Sequence, residues 1–246
     1  MNAWLRLTIW IVALLVVVLP VVAVVNGWIA ADRWPLSRLQ VTGELDHVSA
    51  EAVRAAVQPE LGKGFFAIDL RRIRDSASAL PWVASVQVRK RWPDLLQVDV
   101  REHQPFARWD GRQWLSREGV IFSAPDDPAL AALPNLSGPA RRVADVVSLY
   151  RFAATRFAAL DRQVVEIRLS PRGSWSLRLA DGASVMIGRD DAEVRLGRLL
   201  RAMPQLIAGN SATFARADLR YTNGFALNFA GNGPGDAAPI HARNTR

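Results

Sequence analysis

Apolar positions in this chain follow three distinct patterns. From Leu7 to Ala31 run 25 consecutive uncharged residues, 21 of them apolar. At 1.5 Å per residue this stretch makes a helix about 37 Å long, against a hydrocarbon core of about 30 Å. Fifteen of the residues are Leu, Ile or Val. At roughly −0.3 to −0.6 kcal/mol each they favour insertion by about 5–9 kcal/mol, before the penalties of Pro20 and Asn26. The stretch predicts a transmembrane helix over 7–31 behind a cytoplasmic tail, 1–6. A cleaved signal peptide is the alternative. It wants a shorter apolar core and an A-x-A-like site, of which Asn26-Gly27-Trp28-Ile29-Ala30-Ala31 is a poor version. Trp28 and Trp34 suit the outer headgroup level. Short tails stay in the cytoplasm, so the chain is expected to be single-pass, with its amino end inside and the remainder exported.

Beyond Leu36 the pattern breaks into alternations and helical stripes. Leu39 and Val41 alternate up to Gly43, predicting a strand and a turn. Ser49 can cap a helix with Glu51 in its first turn and Val53 and Val57 on its apolar face, ended by Pro59. Asp69 can cap a second helix striped by Leu70, Ile73, Ala77 and Leu80, stopped by Pro81. Val86 and Val88 alternate before a Pro93-Asp94 turn, and Leu96, Val98 and Val100 alternate after it. Residues 36–109 thus read strand, helix, helix, strand, strand. A three-stranded sheet with two helices on one face would bury both stripes.

Residues 110–230 are richer in strands. Trp114-Leu115 and Val120-Ile121-Phe122 flank a Glu118-Gly119 turn, and Ser137-Gly138-Pro139 reads as another turn. A helix is expected over about 144–160. Val165, Ile167 and Leu169 alternate, as do Trp175, Leu177 and Leu179, before an Asp181-Gly182 hairpin signal. Asp190 and Glu193 open a helix burying Val194, Leu196, Leu199, Leu200 and Met203, stopped by Pro204. Leu219 and Tyr221 precede an Asn223-Gly224 turn, with Phe225, Leu227 and Phe229 beyond it. Residues 231–246 lack periodicity and are expected to be a disordered tail. The fold class is α+β: one transmembrane helix, a β-α-α-β-β module, and a mixed, β-rich domain with two helices.

The net charge of +8 comes from 31 basic residues, only Lys63 and Lys90 being lysine. Outside the inner membrane there is no nucleic acid to meet, so the charge reads as an arginine-coated surface. The absence of cysteine excludes disulfides, Cys-based metal sites and a thiol nucleophile. His47, His103 and His241 lack metal-ligand spacing. Glu102 and His103, neighbours in a strand, point to opposite faces. No nucleophile elbow or phosphate loop occurs. No catalytic residue, cofactor, metal or small-molecule substrate is expected. An anchor, two small modules and a last strand with a possible open edge suggest docking, because an unpaired edge can recruit a partner's strand. A bulge, charged residues or the tail could equally blunt it.

Several stretches resemble a known family. They are Leu39-Gln40-Val41-Thr42-Gly43, Ala84-Ser85-Val86-Gln87-Val88-Arg89-Lys90-Arg91-Trp92-Pro93, Leu133-Pro134-Asn135-Leu136-Ser137-Gly138-Pro139, Gly188-Arg189 and Asp218-Leu219-Arg220-Tyr221. In this order they resemble the bacterial FtsQ/DivIB cell division family over nearly all of residues 1–230. The resemblance implies a POTRA domain over 36–109 and the family's β-domain over 110–230. It further implies an essential, non-enzymatic divisome scaffold of the inner membrane, joined at the septum to FtsB and FtsL and in contact with FtsK. By motif, Arg220, Tyr221 and Gly224 would contact FtsB. Phe229 stands where many relatives have Trp, and Arg195 would form a salt bridge to FtsB. The alternative expectation is a POTRA-containing component of protein export or outer-membrane assembly.

Overall fold

A computed structural model describes residues 3–25, 36–62, 64–209, 214–221, 224–229 and 238–241. Trp28, Trp34, Lys63 and the Thr222-Asn223 step lie outside the described residues. Helix α1 spans Ala3–Val25 with Pro20 inside it. Among its described side chains Trp10 is 75% and Leu14 64% exposed. Among the described residues no helix is long and apolar enough to cross a membrane, so a span over 7–31 rests on the sequence. The chain divides into two compact units, Met1–His103 and Gln104–Arg246.

In the first unit, β1 (Arg38–Thr42) precedes α2 (Ala50–Leu61), a one-turn α3 (Gly64–Ala67) and α4 (Leu70–Ser78). Strands β2 (Val83–Arg91) and β3 (Leu95–Glu102) complete it. The sheet order is β1-β3-β2, with β1 parallel and β2 antiparallel to β3. Both predicted caps form: Ser49 Oγ accepts from the Ala52 N–H at 3.0 Å, and Asp69 Oδ1 from the Arg71 N–H at 2.8 Å. Val53, Val57, Ile73 and Ala77 are fully buried with Leu96, Val98 and Val100. Each buried aliphatic side chain contributes roughly 1.5–3 kcal/mol, which is what holds the helices on the sheet. Pro59 does not end α2, which continues to Leu61. In the last turn, proline forfeits one hydrogen bond and the helix survives for two residues. Gly43 has φ +139°, and a Cβ there would lie 2.0 Å from the Val100 carbonyl oxygen. Only glycine fits this close approach.

The second unit is built on a ten-stranded sheet. Its strands are β4 (Pro105–Trp109), β5 (Gln113–Ser116), β6 (Ile121–Phe122), β7 (Asn135–Ser137), β8 (Val164–Leu169), β9 (Trp175–Leu179), β10 (Ser184–Gly188), β11 (Phe214–Asp218), β12 (Gly224–Phe229) and β13 (Ala238–His241). They lie in the order β13-β12-β11-β10-β9-β8-β7-β4-β5-β6. The division between units falls after His103, not after Trp109, because β4 pairs with β5 and β7. Asn135–Ser137, expected partly as a turn, is a strand paired parallel to both β4 and β8. Helices α5 (Val143–Ala158) and α6 (Ala192–Gly209) bury Leu149, Phe157, Leu196, Leu199 and Met203 in one core with Trp109, Ile167, Val185 and Leu227. Pro204 does not stop α6; it sits exposed within the helix.

Candidate partner-docking edge

The predicted partner residues gather at the β13 end of the large sheet. Strand β10 pairs parallel with β11, β11 antiparallel with β12, and β12 antiparallel with β13. Phe225 and Leu227 are buried, 3% and 2% exposed, while Ala226 and Asn228 alternate with them as half-buried residues. This period of two fixes β12 in register, because a one-residue slip would turn both apolar side chains outward.

Two predicted arginines converge just past β11. The Leu219 N–H donates to the Met186 carbonyl at 2.8 Å, prolonging the strand's contact with β10. Arg220 then turns back onto Asp218: its backbone N–H donates to Oδ1 at 3.1 Å, Nε to Oδ1 at 2.9 Å, and Nη2 to Oδ2 at 2.6 Å. These bonds hold the Asp218 carboxyl below the usual carboxylate range and raise the Arg220 guanidinium further. Arg195, from α6, donates Nη1 to the Ile187 carbonyl at 3.2 Å and reaches the Leu219 carbonyl at 3.5 Å. Gly188 permits this meeting. It has φ +98°, and a Cβ there would lie 2.7 Å from Arg195 Nη1 and 3.3 Å from Arg220 Cγ. Arg195 thus ties α6 to the sheet, and Arg220 is ion-paired within the chain.

Tyr221 follows as a large apolar surface, 59% exposed. Gly224, expected in a turn, is the buried first residue of β12 and stands opposite His241. Phe229 closes β12, paired with Phe214 and half-buried against the core. Gly224 and Phe229 stand five residue steps apart, about 17 Å along a strand. The site therefore has an Arg195–Arg220–Tyr221 corner and a β12 rim, not one cluster.

The rim itself corrects an expectation. Residues 238–241 are a strand on β12, pairing His241 with Gly224 and Ala238 with Leu227. An edge with vacant backbone groups binds whatever extended segment is near, and the chain's own terminus is nearest. Among the described residues the ladder runs from Gly224 to Leu227, and the buried Asn228 side-chain oxygen has no hydrogen-bond partner among them. Asp218 and Gly188 stood in the stretches that carry the family resemblance but were given no role of their own, and β13 lay in a stretch expected to be disordered. Asp218 stood two positions before Arg220, a spacing that suits a turn closed by its own carboxylate.

Among the described residues no group of three or more His, Cys, Asp or Glu could hold a metal. His47 Nδ1 and Glu102 Oε2 do lie 3.0 Å apart. Glu102 also accepts the N–H groups of His47 and Val48, the latter at 2.8 Å, and His47 stacks on Trp82 at 3.9 Å. The pair pins the lead-in to α2.

Comparison with known proteins gives two family-model matches. Residues 34–103 match the POTRA domain, FtsQ-type, and residues 107–220 match cell division protein FtsQ/DivIB, C-terminal. Tyr221, Gly224 and Phe229 lie past the second match. The chain is 49% identical to a cell division protein FtsQ of Xanthomonas campestris pv. campestris, over 92% of this chain and 81% of that one. It is 38% identical to one from Thioalkalivibrio sp., covering 80% and 81%. Against one from Burkholderia pseudomallei the identity is 35%, covering 82% and 83%.

Proposed function

The chain belongs to the FtsQ/DivIB family of cell division proteins, and from that premise we propose that it is a non-enzymatic divisome scaffold binding FtsB and FtsL at the septum. Its anchor in the inner membrane is the stretch 7–31, which takes in most of α1: 25 uncharged residues, about 37 Å as a helix. The two units stand in the periplasm, with the POTRA domain available to upstream partners such as FtsK.

The observation that carries the docking reading is the corner beside β12. Tyr221 is exposed there next to an Arg220 already oriented by Asp218. A guanidinium held in place loses less freedom on meeting an acidic partner, and the ring offers area at low entropic cost. Main-chain bonds along β12 supply the remaining contact, as in strand addition. Sharing a membrane raises the effective concentration of both partners, so a modest affinity suffices. Tyr221→Glu should leave the fold intact and abolish FtsB retention in a pull-down. Retention equal to the parent chain would remove this corner from the interface.

A further inference from the structure

We propose that β13 is a displaceable self-occupant of the docking rim, so that the partner's strand enters β12 by exchanging with the chain's own tail. This inference rests on the docking reading above and adds its regulation. The tail uses the same backbone groups that strand addition requires: residues 224–227 of β12 are paired, in order, with His241, Ile240, Pro239 and Ala238. One rim cannot serve both strands at those four positions.

The composition of the tail makes its hold weak. It reaches β13 through Ala230-Gly231-Asn232-Gly233-Pro234-Gly235-Asp236-Ala237, and glycine loses more conformational freedom on ordering than any other residue. Among the described residues the ladder engages four of the six residues in β12. An incoming strand that pairs along the whole of β12, through Phe229, makes more bonds than those four residues and so can complete the exchange.

Addition of the partner outside β13 is disfavoured by Pro239. Proline has no N–H, so at the second residue of a four-residue strand it removes one donor. If its nitrogen faces outward, the outer rim lacks a central donor; if it faces β12, the tail's own ladder is shortened. Either way exchange is favoured over stacking a further strand.

The occupant is therefore an extended segment at least five or six residues long, able to pair through Phe229. Its apparent dissociation constant is the intrinsic one divided by the fraction of molecules whose tail is open.

The test uses the full chain in nanodiscs and a peptide of the FtsB periplasmic segment. Deleting residues 231–246 should tighten binding by roughly 3- to 30-fold, the inverse of the open fraction. A second variant, Ala226→Cys with Pro239→Cys, joins residues that face each other in the ladder. In a chain otherwise without cysteine, these would be its only thiols. Oxidation should form the intramolecular disulfide and abolish binding, and reduction should restore it. Failure of the disulfide to form, or equal affinity with and without the tail, overturns the exchange while leaving docking intact. No binding by any form, the truncated chain included, overturns the docking reading and the exchange with it.

Discussion

Asp218 and Arg220 close a two-residue step with a fork of hydrogen bonds, Nε to Oδ1 at 2.9 Å and Nη2 to Oδ2 at 2.6 Å. The pair sets the direction in which the chain leaves β11, and so where Tyr221 emerges. Because the Asp218 carboxyl titrates below its ordinary value in the folded chain, its stabilising effect is complete above about pH 4 and fades as acid protonates the folded carboxylate. Asp218→Asn should lower stability at neutral pH by no more than about 1 kcal/mol, since Arg220 is largely exposed. Thermal unfolding of parent and variant between pH 7 and pH 3 should show the difference narrowing toward the acid end. A difference that instead grows as the pH falls would contradict the assignment.

Gly188 is a sharper lever. Gly188→Ala combines a left-handed backbone with a Cβ 2.7 Å from Arg195 Nη1. A cost of about 1–3 kcal/mol is expected in urea unfolding, from strain and from a displaced Arg195. Binding of FtsB should fall with it, whereas Gly182→Ala, also at positive φ but with open space around its Cβ, should spare binding.

Glu102 offers a control in the other unit. Glu102→Ala strands the backbone N–H groups of His47 and Val48, each now bonded to its carboxylate. Leaving part-buried donors unpaired costs up to about 1–3 kcal/mol each. Urea unfolding should register the loss while the affinity for FtsB stays at the parent value. Impaired FtsB binding would place this loop in the interface.

Phe157, fully buried in the core of the second unit, tests the scaffold behind the edge. Phe157→Ala should cost about 3–5 kcal/mol in chemical denaturation. A loss under 1 kcal/mol would mean that α5 is not held by this core.

The first unit was legible because its helices and strands each carry their own period. Val53 and Val57, then Ile73 and Ala77, mark helical stripes, and Leu96, Val98 and Val100 mark a strand; both caps sit where the structure has them. Strand β7 was hidden. Three residues flanked by Pro134 and Pro139 are too few to show a period, and their pairing with β4 and β8 is wholly tertiary. The two helical prolines misled for a local reason: Pro59 and Pro204 each remove one bond that neighbouring packing outweighs. At the candidate docking edge, the Asp218-Leu219-Arg220-Tyr221 stretch was visible as a motif, but the 59% exposure of Tyr221 was not. Nor was the bond from Arg195 to the Ile187 carbonyl, since α6 and β10 meet only in three dimensions. Strand β13 escaped because a segment poor in β-branched residues acquires its conformation from the rim it joins.

The parallel pairing of β1 with β3 has one more consequence. The N–H groups of Ser37 and Arg38 both donate to the Asp94 carbonyl, so the polypeptide arrives at the end of the sheet where the hairpin between β2 and β3 turns. The hairpin tip, where Trp92 is 73% exposed, therefore lies at the same end of the sheet as the incoming chain.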